Sequence, residues 1–390
     1  AEAVGSQLRA LDSHAPVRVH HGSLSKEIRE EVERDFHSGK VKAVVCTSSL
    51  ELGIDIGSVD FIIQYMSPRQ ATRLIQRIGR SEHRLRGVAK GLIVSASADD
   101  ILESAVIARN AKNEKLEQTV VHENALDVLA HQIAGLVLDL RRFTPGEALE
   151  IVKRAYPYRD LSPETFMSVV KQLHTGRVIT LQEDVLRPRF PNTFRYYFEN
   201  ISMIPDMKRY VVFDFFRKRK IGTLDQDFVA RRCKSGTEVI MHGQTWKVIA
   251  VNEDALSVEV EPTAPTLNAI PSWEGEIIPV TYDVATEVGQ LRGIIAANLD
   301  DSEILERLAR SLDVSNEAMK KNAESVQAQV EDYTVPTDKA ALIEKFENCI
   351  VLHACLGTLA NETLSLALAS LLSARLGVNV AAQMDSYRIA

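Results

Sequence analysis

Arg77 and Arg80 stand three residues apart around Gly79, in the run Gln76-Arg77-Ile78-Gly79-Arg80-Ser81-Glu82-His83-Arg84. A guanidinium carries a rigid fork of N–H donors that matches the oxygens of a phosphate, and glycine lets the backbone approach a ligand closely. The chemistry of this run is anion binding. Upstream, Val44-Val45-Cys46 is a short apolar run that ends in Thr47-Ser48-Ser49, as a strand meeting a turn would. A second apolar run, Phe61-Ile62-Ile63, ends in Gln64-Tyr65 ahead of Pro68. His20 and His21 are adjacent and would point to opposite faces of a strand, with no third ligand near, so they give no metal site.

Together, TSSLELGIDIG from Thr47 and QRIGRSEHR from Gln76 resemble motifs V and VI of the superfamily 2 helicases, and HHGSLS from His20 resembles the turn after motif IV. In their particular forms the three blocks are most similar to the Lhr (large helicase-related) proteins, and blocks in the right order are more specific than any one alone. PSWEGE at Pro271 to Glu276 and RLGVNV at Arg375 to Val380 look like downstream Lhr regions. The resemblance implies an ATP-dependent helicase or translocase acting on single-stranded or tailed DNA or RNA. ATP and Mg2+ would be bound mainly by a first RecA-like lobe. The second lobe would bring Arg80 as arginine finger, Arg77 as a helper on the phosphates, and Gly53, Asp55, Gln76 and His83 to the nucleotide. Gly22, Ser23, Thr47 and Ser48 would contact the nucleic-acid backbone. Glu82 stands where the family commonly has a small residue.

The elements that must position these residues follow from the patterning. Residues 1–122 alternate helical and strand patterns: a helix over Ala3 to Leu11, a strand over Val17 to His20, and a charged amphipathic helix over Ser25 to Phe36. Strands over Ala43 to Thr47, Phe61 to Gln64 and Gly91 to Ala96, with a helix over Gln70 to Ile78, complete a mostly parallel sheet with helices on both sides. The resemblance implies a RecA-like lobe, whose first strand would lie before residue 1, so residue 1 reads as an internal cut. Neither a G-x-x-x-x-G-K-[ST] loop nor a D-E-x-H box occurs in the 390 residues, so this chain alone is expected not to hydrolyse ATP. A nucleic-acid-binding module that needs a P-loop lobe in trans is the alternative reading.

Residues 123–190 read as a winged helix. Leu126, Leu129, Ile133, Leu136 and Val137 space a first helix, Thr144-Pro145-Gly146-Glu147 is a capping box, Ser162-Pro163-Glu164 starts a third helix, and a short hairpin follows Gly176. The third helix, with only Lys171 and His174 as cations, suits either a groove or a spacer. Residues 191–285 read as a small antiparallel β-barrel, with strands over Tyr210 to Phe216, Glu238 to Met241, Thr245 to Val251 and Ala255 to Glu261. Its run Phe216-Arg217-Lys218-Arg219-Lys220 combines cations with an aromatic, the mixture that single-stranded nucleic acid prefers, with a solvated strand end as the alternative. Trp246 reads as core, while Trp273 stays open between core and base stacking. Residues 286–390 read as helical, with helices over Asp301 to Leu312, Ser315 to Tyr333 and Thr337 to Leu376, the last broken or kinked at Gly357, and a strand-like Asn379 to Ala390.

Composition sets the outer limits. With 45% hydrophobic and 25% charged residues the chain is ordinary globular protein, and no apolar run approaches the roughly 18 residues of a membrane span. Cys46, Cys233, Cys349 and Cys355 form no C-x-x-C pair, so neither zinc nor a disulfide framework is indicated and a reducing cytoplasm fits. The net charge of -7 hides a local excess, because Arg187 to Lys234 holds twelve Lys or Arg against five acids.

Overall fold

The computed structural model describes residues 1–390 except 13–15, 23, 25, 52–58, 82–87, 204–207, 242–243, 264–269, 272–277, 347–348 and 379; the side chains of 2, 9, 231, 240, 244, 270, 271 and 332 are also outside the description. The chain divides into two units, 1–117 with 210–390, and 118–209.

The first unit begins with α1 (Glu2–Leu11), β1 (Val17–His20), α2 (Lys26–His37), β2 (Ala43–Cys46), β3 (Ile62–Tyr65), α3 (Ala71–Ile78), β4 (Gly91–Val94) and α4 (Ala98–Lys112). All four strands pair in parallel, β1 with β2 from Val17 opposite Ala43, and β3 with β4 from Ile62 opposite Gly91. In α3, Ala71 and Leu74 share a buried face while the arginines point elsewhere. Its own N-cap residue, Gln70, makes no side-chain cap. The cap comes from Glu117, whose carboxylate accepts the N–H groups of Ala71 at 2.6 Å and Thr72 at 2.9 Å and the Thr72 hydroxyl at 2.6 Å. A negative charge at a helix N-terminus satisfies orphan donors and complements the dipole.

The second unit contains α5 (Leu126–Leu140), α6 (Pro145–Val152), α7 (Pro163–Thr175), the hairpin β5 (Ile179–Gln182) and β6 (Val185–Pro188), and α8 (Asn192–Glu199). Leu129, Ile133 and Val137 bury one stripe of α5 against Phe166, Val170, Leu173, Ile179 and Leu186, which is the winged-helix core. Leu126 is exposed. Both expected caps are present: Thr144 and Glu147 form the capping box, and Ser162 accepts from Thr165 N. His174 is committed within the unit, its Nδ1 accepting from Leu181 N at 3.1 Å. Helix α8 lies in a stretch expected to lose helical periodicity. Its aromatics Phe194 and Phe198 are about half exposed, which masks the 3.6-residue period, and Thr193 fixes its start by donating to Val178 O at 2.6 Å.

Helix α8 crosses α5 at Gly135, where an added Cβ would stand 2.7 Å from Tyr197 Cε2. Tyr197 cannot swing away freely, because it stacks on His131 with centroids 4.4 Å apart. Gly135→Ala is therefore expected to cost about 1–3 kcal/mol through overpacking, read as a lower urea midpoint. An unchanged midpoint would show that α8 is loosely held.

The chain then forms β7 (Arg209–Asp214), β8 (Lys220–Asp225), α9 (Gln226–Arg232), β9 (Glu238–Met241), β10 (Gln244–Asn252), β11 (Ser257–Pro262) and β12 (Ile270–Pro271), one six-stranded sheet in the order β12-β9-β10-β11-β7-β8. The expected antiparallel arrangement holds for β9-β10-β11, whereas β7 joins β11 in parallel and β12 joins β9 in parallel. The reason is topological: α9 and the strands after it separate β7 from β11 in sequence, so no tight turn forces them antiparallel. Trp246 is in this core and donates Nε1 to Met241 O at 3.2 Å, whereas Trp273 lies outside the described residues.

The last part holds α10 (Tyr282–Ala297), α11 (Ser302–Ser311), α12 (Asn316–Asp332), β13 (Leu342–Phe346), β14 (Cys349–His353), α13 (Thr358–Leu376) and β15 (Arg388–Ile389). The expected helix over Thr337 to Leu376 is thus half sheet. Leu342 to Phe346 and Cys349 to His353 pair antiparallel, with β15 on the far edge of β14. Of the two expected effects of Gly357 the structure has the break: it is the N-cap of α13, its φ is +82°, and an added Cβ would meet Val280 O at 2.8 Å. Ala71, Leu74, Leu102, Val106 and Ile107 share one apolar cluster with Val284, Val288, Leu291, Ile295, Met319 and Tyr387, so helix α3 rests on the C-terminal helices.

Candidate nucleotide and nucleic-acid interface

Strand β2 leads into Thr47 and the 3₁₀ turn Ser48–Leu50, which Glu51 closes by donating its N–H to Ser48 O at 3.0 Å. The turn is tied to β1 through Ser49, whose Oγ donates to His20 O at 3.1 Å and lies 2.8 Å from His20 Nδ1. The buried His20 ring reaches Glu33 Oε1 of α2 at 3.0 Å through Nε2. His20 is thus a strut of the fold, and among the described residues no group of His, Cys, Asp and Glu could hold a metal ion. Ser48 and Gly22 are exposed and Thr47 half-buried, and all three follow the C-terminal ends of the paired strands β1 and β2. That edge is where ligands meet open α/β sheets.

Glu51 is the organising residue of this edge, and the motif reading missed it. It is only 3% exposed. Its Oε1 accepts from Arg73 NH1 at 2.6 Å, and its Oε2 accepts from Arg77 Nε and NH2, each at 2.9 Å. Its backbone carbonyl accepts Arg80 Nε at 3.0 Å. Burial alone would raise the Glu51 pKa, but the hydrogen bonds and charges of Arg73 and Arg77 outweigh it and hold the carboxyl below the ordinary glutamate value. The signal was present in the sequence: positions 73, 77 and 80 recur at helical spacing, and such a stripe of cations calls for a carboxylate.

The two candidate arginines differ in freedom. Arg77 is fully engaged, since its NH1 also donates to Gln64 Oε1 at 2.9 Å. Arg80 is half-buried and anchored through Nε, and among the described residues its terminal nitrogens have no acceptor. Gln76 is half-buried on α3, whereas Gly53, Asp55, His83, Glu82 and Ser23 lie outside the described residues.

The basic run forms the exposed turn between β7 and β8. Asp214, 1% exposed, accepts the N–H groups of Phe216 and Arg217 at 3.0 Å each and shapes the turn. Phe216 then stands 69% exposed beside Arg217, Arg219 and Lys220, all exposed. Lys218, equally exposed, stands 4.3 Å from the Phe215 ring centroid and 3.7 Å from Glu259 Oε1.

Comparison with known proteins assigns these parts. Residues 2–84 match the helicase conserved C-terminal domain, 109–267 the winged helix domain of large helicase-related proteins, and 335–390 the DEAD/H associated domain. The chain is 34% identical over 381 residues to ATP-dependent helicase Lhr-Core protein 2 of Thermococcus barophilus, covering 93% of the chain and 44% of that protein. It is 32% identical over 387 residues to ATP-dependent helicase Lhr-Core of Methanocaldococcus jannaschii, covering 96% of the chain and 44% of that protein. The chain thus spans less than half the length of these relatives. The fold is that of Mycobacterium smegmatis helicase Lhr, solved bound to ssDNA and AMP-PNP, with a TM-score of 0.70 and 23% identity over 100% of this chain and 48% of that one. Arginine stripe, winged helix and DEAD/H associated region occur here in one order, and the chain belongs to the large helicase-related (Lhr) family.

Proposed function

We propose that this chain supplies the second motor lobe and the accessory domains of an ATP-dependent helicase or translocase that acts on single-stranded or tailed DNA or RNA in the cytoplasm. The observation that carries the reading is the anchoring of Arg80 by one nitrogen beside a carboxylate that already holds Arg73 and Arg77. ATP supplies a transferable phosphoryl group, and with Mg2+ it would sit mainly on a P-loop lobe. Arg80 would meet the charge that develops on that group, and Arg77, with its donors committed, would brace Arg80. The names of the helicase relatives and the ssDNA in the related structure support the same reading.

In this reading residues 1–122 are the motor lobe, with Gln76, Gly53, Asp55 and His83 at the nucleotide and Gly22, Ser23, Thr47 and Ser48 on the strand. Residues 123–190 are the winged helix, 191–285 close as a small barrel, and 286–390 brace the motor lobe. Phe216 would stack on a base while Arg217, Arg219 and Lys220 neutralise phosphates; Lys218, paired with Glu259, would contribute less. No helix among the described residues is long and apolar enough to cross a membrane.

Titration of this chain with a single-stranded oligonucleotide at several salt concentrations tests the basic turn. Each lost phosphate contact is expected to flatten the log affinity against log salt slope by about 0.7, so Arg217→Gln with Arg219→Gln and Lys220→Gln should flatten it by roughly 2. An unaltered slope would remove the turn from the interface.

A further inference from the structure

We propose that the groove between α5 and α8 is a further contact site for single-stranded nucleic acid, one that takes unstacked bases against phenylalanine rings; the inference rests on the reading that this chain binds such a strand. Helix α8 is fixed by the residues on its inner side. Thr193 donates to Val178 O at 2.6 Å, Tyr196 packs on the winged-helix core, and Tyr197 stacks on His131 where Gly135 lets the two helices close. The outer side then carries Phe194 and Phe198 one helical turn apart, their ring centroids 4.4 Å from each other, with Phe190 just before the helix. All three rings are about half exposed. Large apolar side chains held rigidly in a group at the surface mark a contact site, not a packing remainder.

The groove has more than apolar walls. It encloses about 520 Å³, within the roughly 300–1,000 Å³ of ligand sites. Gln132 and Asp139 line it from the same face of α5, two turns apart, and offer hydrogen-bonding groups of the kind that read base edges. Arg141, at the end of α5, has a φ of +64°, uncommon for a residue with a side chain, and its guanidinium carbon stands 5.3 Å from the Phe190 centroid. Residues 132–142 and 189–199 hold Arg141, Arg142, Arg189 and Arg195, all exposed, against Asp139 and Glu199. This cationic excess favours a polyanion. Aromatic faces with cations beside them suit a single strand, because every base has a π-face and the guanidinium groups neutralise phosphates. An apolar protein segment would use the rings and gain little from the arginines.

The test titrates this chain with a labelled single-stranded oligonucleotide at several salt concentrations. Phe194→Ala combined with Phe198→Ala is expected to weaken binding about five- to a hundredfold for each base that loses its ring. The slope of log affinity against log salt should stay as it was, since stacking releases no counterions, whereas Arg141→Gln should flatten it by about 0.7. Phe194→Leu with Phe198→Leu keeps the apolar packing and covers the case in which the alanine pair lowers the urea midpoint. The leucine pair should also lose affinity, and Phe194→Tyr with Phe198→Tyr should keep it. Irradiating an oligonucleotide that carries 5-iodouracil should crosslink it within residues 190–198. Full affinity in the leucine pair overturns the proposal, and if the alanine pair also abolishes self-association in sedimentation, the groove is a face for a second copy of this chain. The variants of the basic turn, run in parallel, separate the two ideas. If the unaltered chain binds no oligonucleotide, the strand-binding reading itself fails; if it binds and only the turn variants weaken it, the groove alone is removed.

Discussion

Arg80→Ala, made in the polypeptide that joins this chain to a P-loop lobe, is expected to lower ATP turnover by about 10³ to 10⁵-fold while oligonucleotide affinity stays the same. The magnitude follows from what a guanidinium does in a water-poor cleft. Charge spreads over the oxygens of the transferring phosphoryl group, and a preplaced bidentate cation stabilises that charge without reorganising. The anchoring of Nε on the Glu51 carbonyl pre-orients the fork, so little side-chain entropy remains to be lost when the phosphate arrives. Arg80→Lys is expected to restore little, since an ammonium has no Nε to occupy that carbonyl and no planar pair of donors. Arg77→Ala should act differently. It strands part of the buried Glu51 carboxylate and the Gln64 acceptor, so its cost should appear in stability as well as in turnover. Phosphate release and oligonucleotide anisotropy measured on the same preparations decide the matter. An unchanged release rate for Arg80→Ala would remove the finger.

How much of this was legible in the sequence depends on whether the determinant is local. The Thr144 and Ser162 caps, the α5 stripe and the strands β1 to β4 are set by residues within a few positions of one another, and each is where the pattern places it. Longer-range determinants were not legible. The α3 N-cap is supplied by Glu117, which comes 46 residues after Ala71, so nothing near Gln70 announces it. Glu51 sits between two leucines and reads as part of a motif string until Arg73, Arg77 and Arg80 are seen to converge on it. Helix α8 and the hairpin β13-β14 failed for the opposite reason, because their periodicity is weak. The first exposes aromatics along much of its length, and the second is two five-residue runs that pair with each other and, through β14, with β15 more than 30 residues on.

The same long-range logic gives the second large effect, a loss of about 3 kcal/mol of stability on replacing Arg292 by methionine, at the lower end of what removing one partner of a buried ion pair costs because Asp99 is half-buried and keeps Arg388. Arg292 lies on α10 with its side chain 9% exposed and donates to Asp99 Oδ1 at 2.6 Å and to Cys355 Sγ at 3.4 Å. Its guanidinium stands 4.8 Å from the ring centroid of Tyr387. Tyr387 in turn donates its hydroxyl to the buried Glu103 at 2.7 Å, and burial, reinforced by the Glu103 charge, pushes the phenol pKa upward so that it stays a donor. Arg388 meets Asp99, and Arg69 reaches both Glu103 at 3.6 Å and Ser386 at 3.2 Å. Arg69 stands two residues before α3, so this network closes the distance between the C-terminal strand and the helix that carries Arg73 and Arg77. Methionine keeps much of the volume and none of the charge, which leaves Asp99 dependent on Arg388 and the Tyr387 face without its cation. Tyr387→Phe, which removes only the hydroxyl from Glu103, should cost less, about 1–3 kcal/mol. Urea unfolding of both variants and of the double variant measures the coupling. A cost below about 1 kcal/mol for Arg292→Met would place it with ordinary surface changes, and the brace between α3 and the C-terminal helices would then have to come from the apolar cluster alone.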